Sequence, residues 1–174
     1  MRYSLGLAIL VMGLTVQADD SEAKYTSKEG NFAVQFPAGA DIAIMERKVS
    51  HGTGVKMTAT RLDTKTYAVG HINLTAEALK MSPESAIDII DHSFVTLGGL
   101  TKVSEKGLVI EKGKFPAREV VVEQGGKFVR TLIVMAPPRM YMVAVGGAKD
   151  FVTGEEGTEF LKSFEVLPPA KLNK

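Results

Sequence analysis

Residues 117–136 read AREVVVEQGGKFVRTLIVMA, and this stretch decides the fold. Two runs rich in β-branched residues flank Gly125-Gly126, a pair that suits a two-residue hairpin turn. A hairpin with that turn places Gln124 opposite Lys127 and Val121 opposite Arg130. The sequence therefore predicts two long antiparallel strands, 117–124 and 127–136.

This hairpin also carries the charged residues that we consider for binding. Arg130 shares a strand face with Glu119 and Glu123, which lie diagonally across the hairpin. This arrangement fits either an arginine that recognises a carboxylate or a cross-strand ion-pair cluster, and we favour the ion pairs because such clusters are common on amphipathic sheets. A second basic group near the other end of the hairpin contains Lys112, Lys114 and Arg118. The candidate binding surface comprises Lys114, Arg118 and Arg130.

Strand-like alternation extends on both sides of the hairpin. It predicts earlier strands at 32–36, 42–49, 55–62 and 66–74 and a later one at 140–145. Shorter extended segments are expected at 100–104, 108–110 and 165–167. The turn-like Glu105-Lys106-Gly107 separates 100–104 from 108–110.

Two helices interrupt the strands. Ser82-Pro83-Glu84 is typical of a helix start, Gly98-Gly99 of an end, and an apolar stripe joins Ile87, Ile90, Phe94 and Leu97. Asp88, Asp91 and His92 lie off that stripe, so we expect them to face solvent. The second helix has a capping-box pattern at Thr153 and Glu156, and its apolar face carries Gly157, Phe160, Leu161 and Phe164.

Hairpins with one central and one terminal helix predict an α+β fold. We expect a central, mostly antiparallel β-sheet flanked by two principal helices. No linker-like stretch divides the chain, so we predict a single domain over 31–167. A flexible segment at 19–30 and a tail at 168–174 are expected to frame it.

The first residues predict export. Arg2 precedes a charge-free apolar run at 5–16, and Val16-Gln17-Ala18 places small residues where a signal peptidase cleaves. We expect a signal peptide at 1–18 with cleavage between Ala18 and Asp19. The run is shorter than the roughly 20 residues that a transmembrane helix needs. The mature protein is therefore expected to be soluble, either periplasmic or secreted, with no integral membrane span.

Composition excludes several classes of protein. The 174 residues contain 21 Lys+Arg, 20 Asp+Glu and no cysteine. So balanced a charge argues against a nucleic-acid partner, and loss of Arg2 with the leader makes the two signs equal. Without cysteine there is no disulfide, no thiolate metal site and no lipidated bacterial N-terminus.

The titratable residues match no catalytic or cofactor motif. The three histidines, His51, His71 and His92, lack the spacing of a helical metal site. Asp91-His92-Ser93 contains the residue types of a catalytic triad, but neighbours on a helix point about 100° apart. We therefore expect no cofactor, no metal and no enzymatic activity.

Three methionines, Met135, Met140 and Met142, lie close to the Pro137-Pro138 turn. They could line an adaptable binding groove, because methionine side chains are flexible. Core packing beside Ile133 and Val143 is the interpretation that we favour.

The order of these features resembles the PsbP/Mog-like superfamily. Known members include the lumenal extrinsic protein of photosystem II, a Ran-GTPase-binding protein and many small exported bacterial proteins of unknown role. The resemblance implies an α/β/α sandwich and a non-enzymatic binding or assembly role, but no residue set here identifies a photosystem or Ran partner. The residues that carry it are FAVQFP (32–37), SPE (82–84), GKFPARE (113–119), RMYMV (139–143) and FLKSF (160–164).

Three functional hypotheses follow from the sequence. The first is an exported binding or assembly-accessory protein that acts through a groove or sheet edge on another protein or a small ligand. The second is a carrier of a small apolar or amphipathic ligand, which requires a cavity of about 300 Å³ or more, lined by residues such as Met135 and Phe128. The third is a hydrolase or lyase whose acid–base residues converge only in the fold, for example Tyr67 or a histidine beside a buried carboxylate.

Overall fold

The computed structural model describes residues 24–48, 54–110 and 114–168. The predicted signal peptide at 1–18, the cleavage site between Ala18 and Asp19 and most of the predicted tail lie outside the described residues, as do His51 and Lys112. No helix in the described ranges combines the length and apolarity that crossing a membrane requires.

The described part of the chain contains ten strands and three α-helices. In chain order they are β1 Lys24–Ser27, β2 Phe32–Gln35, β3 Ala43–Lys48, β4 Gly54–Leu62, β5 Lys65–Asn73, α1 Pro83–Gly98, β6 Thr101–Ile110, β7 Phe115–Gln124, β8 Lys127–Ala136, β9 Arg139–Gly147, α2 Lys149–Thr153, α3 Glu155–Lys162 and β10 Glu165–Val166.

Seven of the strands form one antiparallel sheet in the order β3-β4-β5-β9-β8-β7-β6. At the β7–β8 hairpin, Gln124 lies opposite Lys127 and Val121 opposite Arg130, which confirms the predicted register. Gly125 and Gly126 have φ angles of 60° and 80°, which glycine adopts without the steric cost that a Cβ atom would add.

The edge strand β6 is continuous, so the predicted turn at Glu105-Lys106-Gly107 is wrong. These three residues pair with Val120, Glu119 and Arg118 of β7, and the only irregularity in the pairing is a register shift between Lys102 and Ser104. Pairing along the whole of the neighbouring strand β7 outweighs the weak local turn preference of the Glu-Lys-Gly sequence.

The other three strands form a small sheet in the order β1-β2-β10. The structure therefore corrects the expectation of a flexible segment over 19–30, because residues 24–27 form β1 and pair with β2. An aromatic contact fixes this strand: the Tyr25 ring lies 5.9 Å from that of Phe36 and 6.0 Å from that of Phe32.

Helix α1 begins and ends as the sequence predicts. The Ser82 Oγ accepts a hydrogen bond from the Ser85 N–H at 3.1 Å, and Gly99 terminates the helix with a φ of 61°. The helix packs across β7 and β8, with Ile87 buried and Ile90 and Phe94 against the same core. The side chain of Leu97 lies outside the described part.

The capping box predicted at Thr153 and Glu156 is not formed. Thr153 is the last residue of α2, and its hydroxyl donates to the Lys149 carbonyl at 3.0 Å. Gly154 is the N-cap residue of α3, which therefore starts without a side-chain cap. A capping residue needs an extended backbone, and Thr153 is still helical.

Two apolar cores lie on opposite faces of the seven-stranded sheet. One packs the sheet against α2, α3 and the small sheet, and it includes Tyr67, Val134, Tyr141, Phe160 and Phe164. The other lies under α1 and includes Ile87, Val122, Ile133, Met135 and Met140. Helices on both faces of an antiparallel sheet confirm the predicted α+β architecture.

Candidate functional site

Arg130 lies on the sheet face that carries α3, which we call the groove face. Its guanidinium donates to the Glu119 carboxylate at 2.8 Å and to the Thr158 hydroxyl at 2.8 Å. The expected cross-strand ion pair with Glu119 is therefore present. Glu123 instead accepts a hydrogen bond from the Gly126 N–H at 2.6 Å, so it is engaged in the turn.

A groove of about 580 Å³ opens beside this ion pair. The edge strand β6 forms one wall, α3 and β10 form the other, and β7 and β8 supply the floor between them. The apolar residues that line it are Leu108, Val109, Ile110, Phe115, Leu132, Leu161, Phe164 and Val166. The groove therefore offers an elongated apolar surface, which polar side chains border.

The acidic side chains around the groove form ion pairs, whereas two of its lysines do not within the described residues. Glu119 is paired with Arg130, and Glu165 is paired with Lys24 at 2.8 Å. Lys106 and Lys162 are exposed, and neither has an ion-pair partner within the described residues. Both carboxylates are paired, and within the described residues the two ammonium groups are not, so this part of the chain presents a surplus of positive charge to a ligand.

Arg130 retains one unused donor. Its side chain is 14% exposed, and its Nε is buried without a hydrogen-bond partner in the described part of the chain. A buried donor without a partner costs about 1–3 kcal/mol.

Arg118 does not join this groove. It lies opposite Ile133, one position out of phase with Arg130 in the hairpin, so its side chain projects from the α1 face. There it pairs with Asp88 and, at 3.3 Å, with Glu105. Lys114 lies in an exposed turn with a φ of 54°. The residues Lys114, Arg118 and Arg130 therefore do not form one surface.

Asp91 is the residue that the sequence placed wrongly. It is only 3% exposed, and the Lys102 ammonium donates to its carboxylate at 2.5 Å. Asp88 and His92, its neighbours off the apolar stripe, do face solvent. Asp91 differs because it contacts Lys102 of β6 and lies near Arg118 of β7, contacts with other elements that helix periodicity does not encode.

The described histidines do not meet a buried carboxylate. His71 is 8% exposed and contacts the rings of Phe32 and Tyr141. Burial first, and then the positive charge of Arg139, lower its pKa. His92 lies on the exposed face of α1, where Thr96 is 3.4 Å away. No group of metal-binding side chains occurs in the ranges that the structure describes.

Tyr67 does contact a carboxylate, but the geometry holds its proton in place. Its hydroxyl donates to Glu156, whose side chain is half exposed and also pairs with Lys65 at 2.6 Å. Burial and this hydrogen bond raise the pKa of Tyr67 far above its usual value. This hydrogen bond joins β5 to α3.

The methionines fill the core, as favoured from the sequence. Met135 and Met140 are each 2% exposed within the core under α1. The ligand cavity expected around Met135 and Phe128 is not where the sequence placed it, because the groove has other lining residues. A smaller apolar depression of about 140 Å³ lies beside the start of α1, bordered by Ile72, Met81 and Ile89 among others.

Comparisons with known proteins bear on the fold alone. No family model matches the chain, and no curated protein sequence matches it. Among solved structures, it is similar to the solution structure of cyanobacterial PsbP (CyanoP) from Synechocystis sp. PCC 6803, with a TM-score of 0.63 and 10% sequence identity. The superposition covers 90% of this chain and 98% of the cyanobacterial one. The chain therefore has a PsbP-like fold, as the resemblance in its sequence implies.

Proposed function

We propose that this protein is an exported, non-enzymatic binding or assembly-accessory protein that holds its partner in the groove between β6 and α3. The groove itself carries the proposal, because it combines an apolar floor with two ammonium groups at its border that have no ion-pair partner among the described residues. Binding sites of this kind take their affinity from buried apolar contact and their orientation from a few polar groups. The PsbP-like fold supports an accessory role.

The test uses the mature protein as bait in the exported fraction of the source cells, with Leu108→Glu as the groove variant. Leu108 lines the groove, so a carboxylate there should abolish partner capture. Val103→Glu is the matched control, because Val103 lies on the same strand, is 50% exposed and is outside the groove.

Capture by the wild type and Val103→Glu, with loss in Leu108→Glu, would support the proposal. Because Leu108 also packs against the core, Lys106→Glu provides a second groove variant at an exposed position. Retention of the same partner by both groove variants, when circular dichroism shows them folded, would refute the proposal.

Export is tested separately by determining the N-terminal sequence of the protein recovered from that fraction. We expect Asp19 as the first residue, because Val16-Gln17-Ala18 fits the cleavage site. Recovery of the full-length chain only in the cytoplasm would contradict export.

A carrier of a small amphipathic ligand is the second candidate. The groove volume of about 580 Å³ favours it, because small-molecule sites range from about 300 to 1,000 Å³. Native mass spectrometry of the purified protein would then show a bound small molecule that Leu108→Glu lacks.

A further inference from the structure

We infer that the groove binds an extended peptide segment that adds to the outer edge of β6 as an eighth strand, and that the side chains on its groove-facing side, every second residue, combine apolar and acidic residues. This inference rests on the proposed function, since it names the chemical class of the partner. It goes further in stating the conformation, the charge and the backbone contacts of that partner.

The first argument is the free edge of β6. This strand is ten residues long and ends the sheet order, and no strand in the described ranges pairs with its outer side. In an antiparallel sheet, alternate residues of an edge strand direct their N–H and C=O groups outward. From Ser104 to Ile110 the pairing with β7 is regular, so this edge is a straight template for a further strand.

The second argument is that the groove runs along this edge. Lys106, Leu108 and Ile110 lie opposite Glu119, Ala117 and Phe115 of β7, so all three project from the groove face. A strand added to β6 would place every second side chain over the same face. Those side chains would lie beside Leu108 and Ile110 and reach over the β6 wall towards the rest of the apolar lining, with α3 and β10 as the far wall.

The third argument is charge. Lys106 and Lys162 border the groove without ion-pair partners in the described part, whereas Glu119 and Glu165 are each paired with a cation. Acidic side chains on the partner would therefore gain ion pairs, and basic ones would meet like charge. The predicted C-terminal tail, PPAKLNK at 168–174, contains two lysines and no acid, so it lacks the charge that this groove favours.

The backbone edge distinguishes a peptide from other anionic amphipaths. A fatty-acid anion could use the apolar floor and the two lysines, but it has no donors or acceptors along its chain to satisfy the outward groups of β6. Only a peptide in extended conformation matches the floor, the charge and the edge together.

The experiment selects random eight-residue peptides, displayed on phage, for binding to the purified mature protein. We expect enriched sequences in which one set of alternate positions, the groove-facing one, combines apolar residues with Asp or Glu. Synthetic copies should slow deuterium exchange at amides within 104–110 and should bind about tenfold more weakly to the double variant Lys106→Glu and Lys162→Glu. Lys127→Glu is the control, because Lys127 is exposed beside the hairpin turn and outside the groove.

Several outcomes would overturn the inference. These are the absence of enriched peptides, apolar positions spaced as on a helix, no preference for acids, or exchange protection away from β6. Displacement of the peptides by dodecanoate with unchanged exchange at 104–110 would assign the groove to a fatty-acid anion instead. If partner capture still depends on Leu108 when the peptides fail, the inference is wrong and the proposed function stands.

Discussion

Asp91 illustrates how one side chain joins a helix to an edge strand. Its carboxylate accepts from Lys102 at 2.5 Å and lies 3.7 Å from Arg118. One of its oxygens is buried without a hydrogen-bond partner in the described part of the chain. The charge is therefore held mainly by Lys102, a residue from β6.

We expect Asp91→Ala to lower the free energy of unfolding by about 1–3 kcal/mol, the loss associated with a charge-assisted hydrogen bond. Urea unfolding followed by circular dichroism measures the change. Asp88→Ala is the control, because Asp88 pairs with Arg118 but its side chain is 62% exposed, and exposed ion pairs contribute at most about 1 kcal/mol. Equal losses in the two variants would show that burial of Asp91 adds nothing.

The burial of His71 leads us to expect that the stability of the protein depends on pH. Because burial lowers the pKa of His71 in the folded state, the unfolded chain binds the proton more readily. The contribution to stability is complete above the unfolded pKa of about 6.5 and is lost as the pH falls from there towards the lowered folded pKa.

Urea unfolding between about pH 5 and 8 should therefore show declining stability below about pH 6.5 in the wild type and a flatter profile in His71→Gln. The carboxylates with lowered pKa, such as Glu105 and Glu156, lose their contribution only below about pH 4.3. His92→Gln is the matched substitution at an exposed histidine. The wild-type slope in His71→Gln would contradict the assignment.

Among the elements, α1 owes its start to one hydroxyl. We expect Ser82→Ala to destabilise the protein by about 1 kcal/mol, because the Ser85 N–H loses the acceptor that caps the helix. Ser85→Ala removes the neighbouring hydroxyl but leaves that backbone bond, so its effect should stay within about 0.5 kcal/mol. Thermal and urea unfolding would distinguish the two, and equal losses would argue against capping by Ser82.

The elements that the sequence predicts correctly are those defined by residues close to them in the chain. The β7–β8 hairpin and α1 were predictable because their signals, Gly125-Gly126 and Ser82-Pro83, lie beside the elements that they define. The continuity of β6 was not, because it depends on pairing with β7. The burial of Asp91 was missed for the same reason, as its partner Lys102 belongs to another element.

In the groove, too, the contact within one hairpin is predictable from the sequence and the contacts between distant elements are not. Its Arg130–Glu119 pair follows from the hairpin register and was expected. Its other wall, formed by α3 and β10, lies across the groove from β6 only in the folded chain. The spacing of residues along the sequence therefore does not indicate that Lys106 and Lys162 border one cavity. The candidate surface joined Arg118 to Arg130 through their proximity in sequence, although they lie on opposite faces of the sheet.

Across the whole molecule, Phe32 links the small sheet to the large one. It is 1% exposed, and its ring lies about 6.0 Å from those of Tyr25, His71 and Phe164. The strands that it joins come from both ends of the described chain, β1 and β2 from one and β10 from the other. Loss of this ring should therefore weaken the whole fold.

We expect Phe32→Ala to lower the free energy of unfolding by about 3–5 kcal/mol, the range for truncating a buried phenylalanine. Hydrogen exchange should then accelerate most in β1, β2 and β10. Ile44→Ala, at a side chain that is 68% exposed, should change stability by less than about 0.5 kcal/mol. A small effect of Phe32→Ala would mean that the small sheet is anchored elsewhere.

Strand β8, an inner strand of the large sheet, separates the two cores with a run of residues that is apolar on both faces. Leu132 and Val134 enter one core, Ile133 and Met135 the other, and all four are buried. A slip of one residue would exchange these pairs and still leave apolar atoms on each face, so hydrophobicity alone does not forbid it. The information that selects one alignment lies at the rim of the molecule, in the Gly125-Gly126 turn and the Arg130–Glu119 pair. An insertion of one residue in that turn would remove one of these two features and favour the alignment in which each β8 side chain points to the opposite face of the sheet.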